Sequence, residues 1–110
     1  MKQYVIDQFS PEDYNNVKDY LDKHFSNSGI DGIYWIPIDD DLLTEVQKDH
    51  KDCSPFFFAI EIVPNRMSCE LLVRTKNRMR CDCIRHATEL QRNWLIAYAD
   101  SIFERLNIKI

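Results

Sequence analysis

Residues 56–86 read FFFAIEIVPNRMSCELLVRTKNRMRCDCIRH, and the rest of the chain is built around them. Phe56, Phe58, Ile60 and Ile62 alternate with other residues, as do Cys69, Leu71 and Val73, and then Met79, Cys81 and Cys83. Alternation with a period of two marks strands with one buried face. The pattern predicts three antiparallel strands in a meander, joined by two tight turns. A register with Ile60 opposite Leu71 and Val73 opposite Cys81 puts all three apolar sets on one face. A slip of one residue would bury arginines, so the pattern itself selects the register. Its second turn is the three-residue loop Lys76-Asn77-Arg78.

Helices flank the meander. Ser10 caps the first, with Pro11 at its first position and Glu12 and Asp13 at the positive end of the dipole. Tyr14, Val17, Leu21 and Phe25 give it an apolar stripe. Residues 2–8 ahead of it read as an extended arm. Ile30 to Ile38 reads as a strand, and Pro37 places it at a sheet edge or ends it there, because proline cannot donate to a ladder. A second helix is expected from Asp39-Asp40-Asp41, with Leu42, Leu43 and Val46 on its apolar side, ending near 49–51. Thr88 and Gln91 form a capping box for the last helix. Trp94, Leu95, Tyr98, Ala99, Ile102 and Leu106 make its apolar face. Asn107 fits a left-handed terminus, with Ile108 folding back on the last turn.

The order is α-β-α-β-β-β-α. It predicts one α+β domain over residues 1–110, with a mainly antiparallel four-stranded sheet and the helices on one face. A chain of 110 residues, 45% of them hydrophobic, can bury a core of its own. The net charge is −4, which disfavours general nucleic-acid binding. Residues 1–52 hold twelve acids and five bases, whereas residues 53–110 hold six and nine. There is no export signal and no apolar run of membrane-spanning length, so a cytoplasmic location with reduced cysteines and no membrane partner is expected.

Three constellations bear on function. Four bases, Arg74, Lys76, Arg78 and Arg80, crowd the second hairpin. In the expected register Arg74 faces Arg80, a repulsion that Glu61, Glu70 or an acidic partner would offset. Phe57 shares that face and could stack a base. The second constellation is aromatic: whichever of Tyr34 and Trp35 points outward is an interface anchor. The third joins His50 and Cys53, spaced H-x-x-C, to Cys81 and Cys83, spaced C-x-C. These four residue types suit tetrahedral zinc. Buried free cysteines are more often plain core residues, and that is the competing reading.

No phosphate loop, nucleophile elbow or catalytic histidine pair is present. The sequence therefore favours a binding module that is not an enzyme and needs no cofactor. Its expected partner is a protein or a second copy in a homodimer, meeting it at Tyr34 and Trp35 or on the mixed face of the sheet. Nucleic acid or another polyanion on the basic hairpin is the first alternative, and a zinc-stabilised fold through His50, Cys53, Cys81 and Cys83 is the second.

Overall fold

Strand β3, Phe56–Val63, is the longest strand among the described residues and carries the rest of the sheet. The computed structural model describes residues 2–25, 30–76 and 80–109. Along one side of β3 runs β2, Ile33–Pro37, with Tyr34 opposite Ile60 and Ile36 opposite Phe58. Along the other side run β4, Arg66–Glu70, and β5, Leu72–Thr75. All these pairings are antiparallel.

β4 and β5 form one interrupted strand. Ile60 faces Cys69, while Phe57 faces Arg74. The two residues between Ile60 and Phe57 therefore stand against the four residues 70–73, which makes a bulge. A bulge bends its strand and sharpens the local twist. It preserves parity, so Met67, Cys69, Val73 and Thr75 all stay on the side of Phe56, Phe58 and Ile60, and all are buried.

The outer edge of this interrupted strand is shared by two short segments. β1, Gln3–Asp7, covers β4, and β6, Arg85–His86, covers β5. They meet at Leu71, whose N–H donates to the Lys2 carbonyl at 3.1 Å and whose carbonyl accepts from Ala87 N–H at 2.9 Å. The arm predicted for residues 2–8 is thus a full strand of the sheet, and the sheet has six strand segments where the sequence predicted four.

The α+β class and the antiparallel sheet with its helices on one face stand as predicted. Helix α1, Pro11–His24, has the Ser10–Asp13 capping box, and helix α3, Glu89–Arg105, has the Thr88–Gln91 box. Both lie on the Phe58 side. Phe58 stacks on Trp94 with ring centroids 6.2 Å apart, and Phe9 meets Phe103 at 5.7 Å. Tyr4 donates to Asp100 at 2.5 Å, and Tyr34 donates to Asp22. Asn107 takes the left-handed conformation, with φ 58°, and Ile108 N–H returns to the Phe103 carbonyl at 2.9 Å.

Two predicted elements are corrected. The second helix is not built from the aspartate run. Residues Asp40–Leu42 make a single 3₁₀ turn, and α2, Glu45–Asp49, starts afresh from Thr44. The third strand of the meander does not run through Cys81 and Cys83. Val73 pairs with Arg85 instead of Cys81, and 81–84 is a turn closed by Ile84 N–H to the Cys81 carbonyl at 3.0 Å. On that side the pairing of Val73 with Arg85 takes Arg80 out of line with Arg74, whose partner on the other side is Phe57. The loop residues Asn77 and Arg78, with Met79, lie outside the described residues.

The edge predicted for residues 30–38 stands: β2 pairs with β3 alone among the described strands. Gly32 opens it at φ 83°, and a Cβ there would sit 3.0 Å from the Ile62 carbonyl, so the close approach and the positive φ both require glycine. No helix among the described residues is long and apolar enough to cross a membrane.

Candidate metal centre

The chain after α2 turns sharply, and two side chains come together in that turn. His50 is the C-cap of α2; its backbone N–H is shared between the Val46 and Gln47 carbonyls at 3.2 Å each. A second 3₁₀ turn, Lys51–Cys53, follows directly, and Cys53 N–H donates to the His50 carbonyl at 3.0 Å. The spacing H-x-x-C thus lies across one tight turn, which aims both side chains the same way. The end of β5 pins that turn, because the Thr75 hydroxyl donates to the Cys53 carbonyl.

The other two residues arrive on the 81–84 turn. The four ligand atoms of His50, Cys53, Cys81 and Cys83 all lie within 4.8 Å of one another. Cys53 Sγ and Cys81 Sγ are 3.8 Å apart. Zinc–sulfur bonds of about 2.3 Å at the tetrahedral angle require a sulfur–sulfur edge of ~3.8 Å. His50 Nδ1 lies 3.0 Å from Cys81 Sγ, so it needs to open by about 0.5 Å to sit on a tetrahedron of that size. Cys53 and Cys83 are buried, and Cys81 is half-buried. A solvent-open hollow of about 370 Å³, lined by Asp49, His50, Lys51, Asp52, Cys53 and Cys81, gives access from that side.

The thiols differ in their surroundings. Hydrogen bonds from the Cys83 backbone N–H, and then from the Cys83, Cys53 and His50 side chains, push the Cys81 thiol down to about 6. Burial pushes Cys83 up to about 12, helped by its sulfur neighbours. One thiolate is therefore ready at neutral pH, and Cys83 gives up its proton when a cation compensates the charge. A thiol whose pKa is lowered on folding reacts as thiolate above that pKa and loses reactivity as pH falls through it. In metal-free protein, iodoacetamide should therefore modify Cys81 at pH 7 and slow down around pH 6. Cys69, buried on the core face and pushed up to about 12 by burial, should stay unmodified at both pH values. Peptide mass spectrometry of a pH series reads both.

A buried amide pair braces the centre. Gln47 and Gln91 are both fully buried. Gln47 Nε2 donates to the Cys83 carbonyl at 3.1 Å, and its Oε1 accepts from Thr44 N–H and from Gln91 Nε2, each at 3.0 Å. Gln91 Nε2 also reaches the Leu42 carbonyl at 2.8 Å, and Gln91 Oε1 accepts from Thr88 N–H at 3.0 Å. Each glutamine is thus the N3 member of its helix's capping box and a tie between helices. Sequence reasoning found the box Thr88-Glu89-Leu90-Gln91 and missed Thr44-Glu45-Val46-Gln47, which carries the same signature. Gln47→Ala strips partners from the Cys83 carbonyl and from Gln91. Leaving such buried groups unpaired costs about 1–3 kcal/mol each, so the variant should lose about 2–4 kcal/mol in urea denaturation.

The other predicted site residues are dispersed. Arg74 forms a bidentate ion pair with Glu70, one of the two acids the sequence placed near it, although the Arg80 repulsion they were expected to offset is absent. Lys76 Nζ lies 4.6 Å above the Phe57 ring and 6.0 Å from that of Trp35. Trp35 and Phe57 meet edge to face at 5.8 Å on the outer side of the sheet, whereas Tyr34 turns inward and is buried. Arg80 is exposed. Two of the four bases are thus engaged within the chain. Cys69 pairs with Ile60 and Tyr4 in the sheet and is not one of the four clustered residues.

Comparison with protein-family models, with curated proteins and with solved structures finds no match.

Proposed function

We propose that this chain is a zinc-stabilised binding domain in which His50, Cys53, Cys81 and Cys83 hold one tetrahedral ion. The observation that carries this reading is the convergence of four soft ligand atoms, drawn from two turns 28 residues apart in sequence, within 4.8 Å. Three thiolates and an imidazole favour zinc over hard cations, which take oxygen ligands. Four protein ligands complete a tetrahedron, which is the pattern of a structural site and not of a catalytic one. The ion would staple the corner after α2 to the turn after β5.

Cobalt titration tests the reading. One equivalent of Co(II) should produce thiolate charge-transfer absorption and the intense visible bands of a tetrahedral site, and zinc should displace it. An octahedral, pale-pink spectrum would refute a site made of these four ligands.

The outer sheet face supports a second reading, self-association into a homodimer. Trp35 and Phe57 form an aromatic pair there, next to the half-buried Ile33, Ala59 and Leu72. Aromatic residues of this kind anchor interfaces. Trp35→Arg should convert a sedimenting dimer to monomer without changing metal content. A wild-type chain that sediments as a monomer at high concentration removes this reading. Polyanion binding at the hairpin has less support, since Arg74 and Lys76 already have partners.

A further inference from the structure

We infer that the centre is a peroxide-sensitive clasp, in which oxidation joins Cys53 to Cys81 and thereby ejects the metal. The inference rests on the metal reading above and adds a regulatory step to it. Three observations carry it. Cys81 is the half-buried member of the cluster and lines the open hollow, so a small oxidant reaches its sulfur first. Cys53 Sγ lies 3.8 Å from Cys81 Sγ, close enough for bonding after a side-chain rotation. Cys83, in contrast, is buried and shares a C-x-C turn with Cys81, where a disulfide would close a small ring.

The chemistry balances with hydrogen peroxide as the oxidant. The Cys81 sulfur attacks one peroxide oxygen, the O–O bond breaks, and hydroxide leaves. Cys81 is now a sulfenic acid. The Cys53 thiolate attacks the Cys81 sulfur, the S–O bond breaks, and a second hydroxide leaves. Two thiolates have lost two electrons in total, and one peroxide has become two hydroxides, which solvent protonates. The ion keeps only His50 and Cys83, half of a tetrahedral set, and dissociates. Exchange with an external dithiol reverses the link.

The test treats the zinc-loaded full chain with a slight excess of hydrogen peroxide. A chromogenic chelator follows the metal, and non-reducing peptide mapping follows the thiols. The expected result is one equivalent of zinc released in step with a Cys53–Cys81 link, with Cys69 still reduced. Dithiothreitol plus zinc should restore the starting state. In Cys53→Ser, Cys81 should instead stop at sulfenic acid, which dimedone traps. Zinc that stays bound, or leaves with another cysteine pairing or with no link, overturns the clasp while leaving the metal centre standing. A purified chain that neither carries nor takes up zinc overturns both.

Discussion

Chelation should lower the melting temperature of this protein by about 15 °C without abolishing its fold. Ligand linkage adds ~4 kcal/mol when free metal stands a thousandfold above its dissociation constant. For a domain of this size ~1 kcal/mol moves the midpoint by about 4 °C. The fold is expected to survive chelation because Phe58, Ile60, Met67, Leu95, Ile102 and Phe103 are fully buried and none is a candidate ligand. Small zinc domains that lack such a core unfold outright without metal. Cys83→Ser should cause the same drop, and EDTA should then have no further effect. Cys69→Ser is the control, because Cys69 is equally buried and lies outside the cluster. It should lose some stability from its buried hydroxyl and keep the full response to EDTA. Differential scanning calorimetry of the three proteins, each with and without chelator, gives the comparison.

Phe58→Ala should cost about 3–5 kcal/mol, the range for emptying a phenylalanine site in a packed core. Phe58 is fully buried, stands opposite Ile36 in the sheet and stacks on Trp94. It therefore connects β2, β3 and α3, and its removal leaves a void that three elements cannot fill together. Phe57→Ala, one residue away, tests whether the sheet is two-sided. Phe57 is shielded by Trp35 and Lys76 on the outer face instead of by a helix. Mobile side chains can close over that space, so the expected loss is about 1–2 kcal/mol. Equal losses would mean that the outer face is packed as tightly as the core. Urea midpoints with unchanged slopes would establish that both values are stabilities.

Much of the architecture was readable because local chemistry and global packing agree there. The caps at Ser10 and Thr88, the alternation from Phe56 to Ile62, and the left-handed Asn107 each have a short-range cause and survive intact. The register shows how far that logic reaches. The pairing of Ile60 with Leu71 implies Phe57 opposite Arg74, and this is what β5 adopts. β4 departs from it by two residues, because the chain bulges where β1 hands the sheet edge to β6. That exchange at Leu71 involves Lys2 and Ala87, which lie too far away in sequence for any local pattern to report.

The same long-range factor explains the third strand. Met79, Cys81 and Cys83 alternate as strand residues do, and C-x-C fits one side of a strand. In a turn the same spacing can bring both sulfurs toward His50 and Cys53, and the structure takes the turn. The second helix was misplaced for a different reason. Three aspartates form a conspicuous capping signal, while the better box at Thr44 and Gln47 begins five residues after the first of them. The aspartates received a single 3₁₀ turn, and Gln47 became a buried tie to Cys83. The four candidate ligands were legible by residue type and spacing, and only the fold could bring the two pairs together.

Four side chains on two turns are proposed to hold one zinc ion. Elemental analysis of the full chain, purified under reducing conditions without added metal and then dialysed with and without zinc, measures it directly. One zinc per chain is expected in the wild type, with that zinc lost in Cys83→Ser and retained in Cys69→Ser. A folded wild-type chain that carries no zinc and takes up none would rule out the site.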